Sequence, residues 1–359
     1  MLHAMIMAGG GGTRFWPRSR QSKPKQFLTL TSDRTLLQQA CDRLEAQVPA
    51  EQTWVITAAR HRGEVLRELP HLPAEQVVGE PTGRDTAACI GLGAALIEAR
   101  DPGGIMLVCP ADHIIEPAES FRRAVQAAQI AVTERPDALV TFGITPNHPA
   151  TGYGYIRRAE RIQNYGGCEV YRVDSFREKP ATELAQRFLA EGGYFWNSGI
   201  FVWKAATVLA ELRRNKPALV EGIDRIIAAW NQPDRDRVLA DIYPTLERIS
   251  IDYAVMERST SALVLEAPFR WDDVGSWLAL ERLHPQDGAG NTIMALHTGL
   301  DTSGCIIVGE PGRLIATAGV RDLLIIQDGD ALLVADRRDE TAIKQIVEKL
   351  GQQGLERFL

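Results

Sequence analysis

Short apolar runs bounded by Gly, Pro or Asp alternate along the chain with longer stretches whose apolar positions recur every three to four residues. Buried strands read as continuous apolar runs and helices as one-sided patterns, so this alternation predicts an α/β sheet. Residues 4–8 predict a first strand. Residues 35–48 predict a helix with Leu36, Leu37, Ala40, Cys41, Leu44 and Val48 on one face, and residues 54–57 predict the next strand. A helix over 86–99, a strand over 105–109, a helix opened by Ser120 as its N-cap and a strand over 138–144 continue the series. The arrangement expected for this first part is doubly wound.

From residue 151 to about 283 the pattern is less regular, with aromatic-rich strands over 171–176 and 199–203 and helices that could shape a substrate pocket. This stretch is assigned to the same domain. The polar run PQDGAGN over 285–291 predicts a boundary, giving domains 1–284 and 285–359. Beyond it, short β segments over 305–308, 314–316, 323–327 and 331–335 follow one another at turn-separated intervals, and a helix over 340–350 closes the chain. A short β-helix would fit this small unit, although the segments are too dissimilar to define a repeat.

Composition narrows the picture by exclusion. The chain has 359 residues, enough for a large core and a smaller second unit. A net charge of -6 argues against a nucleic-acid partner, because affinity for duplexes comes from Lys and Arg neutralising phosphates. No apolar run approaches the length that spans a bilayer, so no membrane association is expected. The five cysteines are dispersed without a CxxC pair and predict reduced core residues, with neither zinc site nor disulfide framework. The apolar start is too short for a signal-peptide core, so the cytoplasm is the expected compartment.

The candidate chemistry begins directly after the first strand, with GGGGTRFWPRSRQSKPKQF over 9–27. Four bare glycines alone are more often a flexible turn, but they also let a backbone approach an anion closely and surround it with N–H groups. Arg14 and Lys25 favour the second reading, since a guanidinium binds phosphate oxygens in pairs and an ammonium supplies a point charge. No Lys-Ser/Thr follows as a Walker loop requires, and Arg14 stands where a dinucleotide fingerprint needs glycine. Asp112, just past the strand over 105–109, occupies the end of the sheet where ligands of open α/β folds bind. Its neighbour His113 is not read as a general base, because a phosphate monoester is already largely dianionic at neutral pH.

The segment resembles the GGxGTR and PKQ signature of nucleotidylyltransferases that act on sugar 1-phosphates, and its FWPxSxxxxPKQF form is similar to the mannose-1-phosphate guanylyltransferase branch. Further motifs extend the likeness over nearly the whole chain: GEPTGRDTA over 79–87, VCPADHII over 108–115, TGYGYI over 151–156, FREKP over 176–180, NSGIF over 197–201, SIDYAVME over 250–257 and WDDVGSW over 271–277. The resemblance implies a Rossmann-like mixed sheet of the nucleotide-diphospho-sugar transferase type. It implies a nucleotide site of Ala8, Gly9, Gly10, Gly11, Gly12, Thr13, Arg14 and Lys25, with Glu80 as the candidate carboxylate for the guanine donors. Gly154, Glu178, Lys179 and Asn197 would hold the sugar phosphate, and Asp112 with Asp273 would hold Mg²⁺, Asp273 being preferred to Asp272 by the W-x-D-V-G pattern. Many relatives carry Asn where this chain has Asp85, which leaves Asp85 without a role; Asp252 is expected at the sugar pocket, also without a role that its chemistry defines.

The expected reaction is transfer of GMP from GTP to mannose 1-phosphate, with GTP and the sugar phosphate as partners and catalytic work shared by Arg14, Lys25, Asp112 and Asp273. Another NTP or another sugar 1-phosphate such as a heptose, or a non-catalytic homologue that binds a sugar nucleotide, stay open as alternatives. So does a homodimer. Because too few residues follow the β unit for a cupin-type isomerase domain, no phosphomannose isomerase activity is expected.

Overall fold

In a computed structural model, which describes residues 1–10 and 12–359, the chain forms two compact units. The first comprises Met1–Gly9, Ala40–Ala111 and Ile115–Trp271; the second comprises Gly10–Gln39, Asp112–Ile114 and Asp272–Leu359.

The first unit is built on the strands β1 (Leu2–Ala8), β2 (Thr53–Ala58), β3 (Val77–Glu80) and β4 (Ile105–Pro110). After a short β5 (Ile114–Glu116) come β6 (Leu139–Ile144), β7 (Tyr155–Tyr165), β8 (Cys168–Arg177), β9 (Tyr194–Lys204) and β10 (Ala262–Glu266). All but β5 join one nine-stranded sheet in the order β3-β2-β1-β4-β9-β6-β10-β8-β7. The β3-β2-β1-β4 ladders and the β6–β10 ladder are parallel; β9 runs antiparallel to β4 and β6, which makes the sheet mixed.

Alternate residues of the central strands feed two separate cores. Met5, Met106 and Val108 pack with helices Asp85–Arg100, Ala205–Asn215 and Pro217–Ala228, whereas Ala4, Leu107 and Cys109 pack with helix Ala118–Glu134. The doubly wound reading of the sequence is therefore the observed one, because strands apolar on both faces need helices on both.

Two local expectations differ from the structure. The helix expected over 35–48 stops at Asp42 and continues as turns, although Leu44 and Val48 remain buried as its pattern required. Burial of those two positions is satisfied by a chain of turns, so helical spacing did not demand a helix. Ser120 is no N-cap: the helix begins at Ala118 with Pro117 in the cap position, because proline fixes the extended backbone that precedes a first turn.

In the second unit, β11 (Arg270–Asp272) leads in from the first, and β12 (Thr292–Met294), β13 (Leu296–Leu300), β14 (Ile306–Val308), β15 (Leu314–Ala318), β16 (Leu323–Asp328) and β17 (Ala331–Asp336) follow. Successive coils stack in parallel, Thr292 beside Ile306 and Ile306 beside Leu324, while β13 and β15 pair in a second parallel ladder and β17 returns antiparallel to β16. Side chains alternate accordingly. Ile306, Val308, Leu324, Ile326 and Leu333 pack with Phe15, Trp16, Leu28, Trp277 and Ile343 of the closing helix Glu340–Gln352, and Cys305, Ile307 and Ile325 point to the opposite side against Ala295 and Ile315. All five cysteines are buried, and none is joined in a disulfide.

Candidate functional site

The glycine-rich segment turns back on itself through Gly12. Its backbone is left-handed at φ 56°, and its carbonyl accepts hydrogen bonds from the Phe15 amide at 3.0 Å and the Ser19 hydroxyl at 2.6 Å. A Cβ there would lie 2.5 Å from the Lys25 Cβ and 2.7 Å from the Lys25 nitrogen, so only glycine lets the loop close on that lysine. Gly11 lies outside the described residues. Thr13 and Arg14 are exposed, and the Arg14 guanidinium reaches the Gly275 carbonyl at 3.5 Å.

Lys25 is buried, yet its ammonium has two partners: the Asp112 carboxylate at 2.7 Å and the Asp273 carbonyl at 2.5 Å. The Asp112 side chain keeps 30% exposure. Burial pushes its carboxyl up, but the Lys25 ammonium and His113 together outweigh that and hold it below the ordinary carboxylate range. The His113 ring nitrogen stands 3.8 Å from the other carboxylate oxygen. Four residues singled out in the sequence, Arg14, Lys25, Asp112 and Asp273, are thus brought together within the second unit.

The segment over 271–277 shows why adjacent aspartates differ. The Asp272 carboxylate accepts from the Arg282 guanidinium at 2.6 and 3.0 Å and from the Val274 amide at 2.7 Å, so it is committed to the fold. That last bond holds Val274 at φ 46°, a genuine outlier for a buried β-branched residue. Such strain persists only where surrounding structure enforces it, and it clusters at functional sites. Gly275 then leaves room for Asp273: a Cβ on it would sit 3.1 Å from the Asp273 carboxylate oxygen.

The remaining nucleotide candidates, Ala8, Gly9 and Glu80, belong to the first unit. Ala8 ends β1 and its carbonyl accepts from the buried Thr57 hydroxyl at 2.9 Å. Glu80 ends β3 almost fully buried, with its Oε2 4.0 Å from where a Cβ on Gly9 would be. Tyr243, which sequence reasoning missed, donates its hydroxyl to Glu80 Oε1 from 163 residues away. No local motif signals that pair. Burial pushes the Glu80 carboxyl up to about 7 despite the hydroxyl, which alone favours the charged form.

Asp85 has a structural role that its chemistry explains. It opens helix Asp85–Arg100 at φ 64°, and its carboxylate accepts from the Thr86 amide at 2.7 Å. Asp and Asn are the side chains that tolerate this left-handed backbone, so the exchange between them leaves the turn intact.

The sugar-side candidates also converge within the first unit. The Gly154 carbonyl accepts from the Asn197 amide at 2.8 Å, and a Cβ on Gly154 would collide with Glu178 Oε2 at 2.5 Å. Glu178 is largely buried, whereas its neighbour Lys179 is 64% exposed, with its ammonium 3.1 Å from the Glu178 carboxylate and its backbone at φ 43°. Asn197 is oriented from both ends: its carbonyl oxygen accepts from the Thr141 hydroxyl at 3.0 Å, and its amide donates to Asp252 at 3.0 Å. Asp252 starts a π-helical turn, Asp252–Met256, an element frequent at functional sites. Burial and the nearby Glu178 charge raise its carboxyl to about 7.

Among the described residues, no group of three or more His, Cys, Asp or Glu could hold a metal ion, and no helix is long and apolar enough to cross a membrane.

Comparison with known proteins shows the family. The family model described as nucleotidyl transferase matches residues 3–289, and one described as MannoseP isomerase/GMP-like beta-helix domain matches residues 296–350. The chain is 39% identical to a protein of Escherichia coli (strain K12) named mannose-1-phosphate guanylyltransferase, over 98% of this chain and 74% of that one. It is 35% identical to the Pseudomonas aeruginosa alginate biosynthesis protein AlgA, over 98% of this chain and 72% of that one. A crystal structure from Thermus thermophilus, described as mannose-1-phosphate geranyltransferase, superposes with a TM-score of 0.86 at 36% identity, covering 98% of this chain and 99% of the other.

Proposed function

The chain belongs to the nucleotidyl transferase family, and we propose that it acts as a mannose-1-phosphate guanylyltransferase, transferring GMP from GTP to mannose 1-phosphate and releasing pyrophosphate. The observation that carries this reading is Lys25 set between Asp112 and Asp273 behind a glycine-walled turn. One anionic and one cationic group held together at a loop of backbone N–H groups suit a triphosphate.

In the proposed reaction an oxygen of mannose 1-phosphate attacks the α-phosphorus of GTP in line as pyrophosphate departs, with no covalent enzyme intermediate. Phosphoryl chemistry of this kind depends on positioning and charge neutralisation more than on proton transfer. Arg14, Lys25 and the N–H groups of the glycine segment neutralise the triphosphate and the leaving pyrophosphate. Glu80 selects the base, since guanine offers N1–H and an exocyclic amine as donors. Glu178 and Asn197 hold hydroxyls of the hexose beside Gly154, and Lys179 takes the sugar phosphate.

Two aspartate carboxylates are hard oxygen donors, and the Asp112 carboxylate already faces a positive charge, the Lys25 ammonium, which also touches the Asp273 backbone carbonyl. They fit Mg²⁺, which takes one or two protein carboxylates and completes its shell with phosphate oxygens and water. Asp112 and Asp273 would hold it. The ion would supply charge stabilisation to the bound phosphates.

The same reading assigns catalysis to domain 1–284 and assembly or domain packing to the β unit 285–359, with the cytoplasm as its compartment. Pyrophosphate release measured with mannose 1-phosphate against each of the four ribonucleoside triphosphates tests it. GTP should support turnover at least tenfold faster than the others; equal rates with all four, or none with GTP, would refute the assignment.

A further inference from the structure

Glu80 can read guanine only as a carboxylate. Ionised, it accepts from the base's N1–H and amine; protonated, it offers a hydroxyl that suits the N1 acceptor of adenine instead. Its charge state therefore decides which base it prefers. The residue is buried at the end of β3, where ionisation is disfavoured.

The groups around it are few. Tyr243 approaches from the one-turn element Tyr243–Thr245 with its hydroxyl donated to Glu80 Oε1, and its ring is fully buried in the core under helix Asp85–Arg100. The Cys89 thiol of that helix is close enough to feel the Glu80 charge and stays protonated, its own value pushed well up by burial. Arg84, just before the helix, acts on the Tyr243 hydroxyl. Burial and then the Glu80 charge push the Tyr243 hydroxyl well above its ordinary range, so it remains a donor throughout the working pH. Glu80 Oε2 points toward Gly9, leaving Tyr243 to fix the opposite oxygen.

We infer that Tyr243 is a positioning residue for base selection, which orients the Glu80 carboxylate and keeps it ionised so that guanine is preferred to adenine. The inference rests on the assignment of Glu80 to the base. Glu80 sits near 7 with the hydroxyl in place, so the margin is narrow and the loss of one donor moves the carboxyl into the neutral form at physiological pH.

The test compares the parent chain with Tyr243→Phe and Glu80→Gln, measuring GTP and ATP binding by calorimetry without sugar phosphate from about pH 6 to about pH 9. Phe keeps the ring that fills the core and removes only the donor. The parent should prefer GTP, less so as pH falls through about 7. Tyr243→Phe should lose about tenfold of that preference at neutral pH and regain it at the alkaline end, while Glu80→Gln should lack it at every pH. If Glu80→Gln keeps the parent's preference, the assignment of Glu80 itself fails. If Glu80→Gln loses the preference but Tyr243→Phe shows the parent's pH profile, or weakens GTP and ATP equally at all pH, the role of Tyr243 is overturned.

Discussion

Gly12 and Lys25 are in such close contact that a single methyl group on the glycine would stand 2.5 Å from the lysine Cβ. The glycine turn and Lys25 are therefore one packed object. Gly12→Ala must move the Lys25 backbone and also hold alanine at a positive φ, which costs roughly 1 to 2 kcal/mol by itself. Turnover should fall at least tenfold, and thermal melting should show a destabilised chain. Parent-like turnover would mean that the loop and Lys25 act separately.

Adjacent aspartates should fail in different ways. Asp273→Asn should reduce turnover by orders of magnitude with a nearly unchanged melting temperature, and Asp112→Asn should reduce it as far but also lower the melting temperature, because the buried Lys25 ammonium loses its anionic partner. Asp272→Ala instead removes the acceptor that the Arg282 guanidinium and the Val274 amide share, and should cost roughly 1 kcal/mol or more of stability. Kinetics and melting of the three variants check this, and a catalytic loss confined to Asp272→Ala would reverse the assignment.

The two motif lysines should fail in different ways. Lys179 is exposed, with its ammonium beside the neighbouring Glu178, so Lys179→Ala should weaken mannose 1-phosphate binding about ten- to a hundredfold with little effect on GTP. Lys25→Ala should show the reverse, with a larger loss of turnover because Asp112 and the Asp273 carbonyl lose their shared cation. Calorimetry with each substrate alone distinguishes them; normal sugar-phosphate affinity with impaired GTP binding in Lys179→Ala would contradict the division.

The buried Glu80 also makes stability depend on pH. Its value rises from 4.5 to about 7 on folding, so between those limits the folded chain holds a proton that the unfolded chain has lost, and stability falls as pH rises through the window. Glu80→Gln removes this slope. Relative to the parent it should gain roughly 3 kcal/mol at most above pH 7 and nothing below 4.5. Denaturant melts at both ends of the range check it, and parallel curves for the two chains would exclude a buried neutral acid.

These predictions draw unequally on the sequence. The doubly wound core was legible because strands such as Ala4–Ala8 within β1 are apolar on both faces, and the glycine segment, Asp112 and Asp273 stand in short motifs of fixed spacing. The coil of the second unit is not legible as a repeat, since stacking Thr292 on Ile306 on Leu324 needs only matching register and no repeated residues. Pairings such as Tyr243 with Glu80 or Thr141 with Asn197 join distant segments through the sheet, where nothing local marks them. Helical spacing over 35–48 reported burial correctly but not the conformation that delivers it.

Direct transfer between GTP and mannose 1-phosphate is the central claim, and exchange of radiolabelled pyrophosphate into GTP tests it most directly. With GDP-mannose and Mg²⁺ present, label should enter GTP as the reaction runs backward. With GTP alone, and no sugar nucleotide, no label should enter. Exchange with GTP alone would reveal a covalent guanylyl-enzyme, and no exchange with GDP-mannose would contradict the proposed activity.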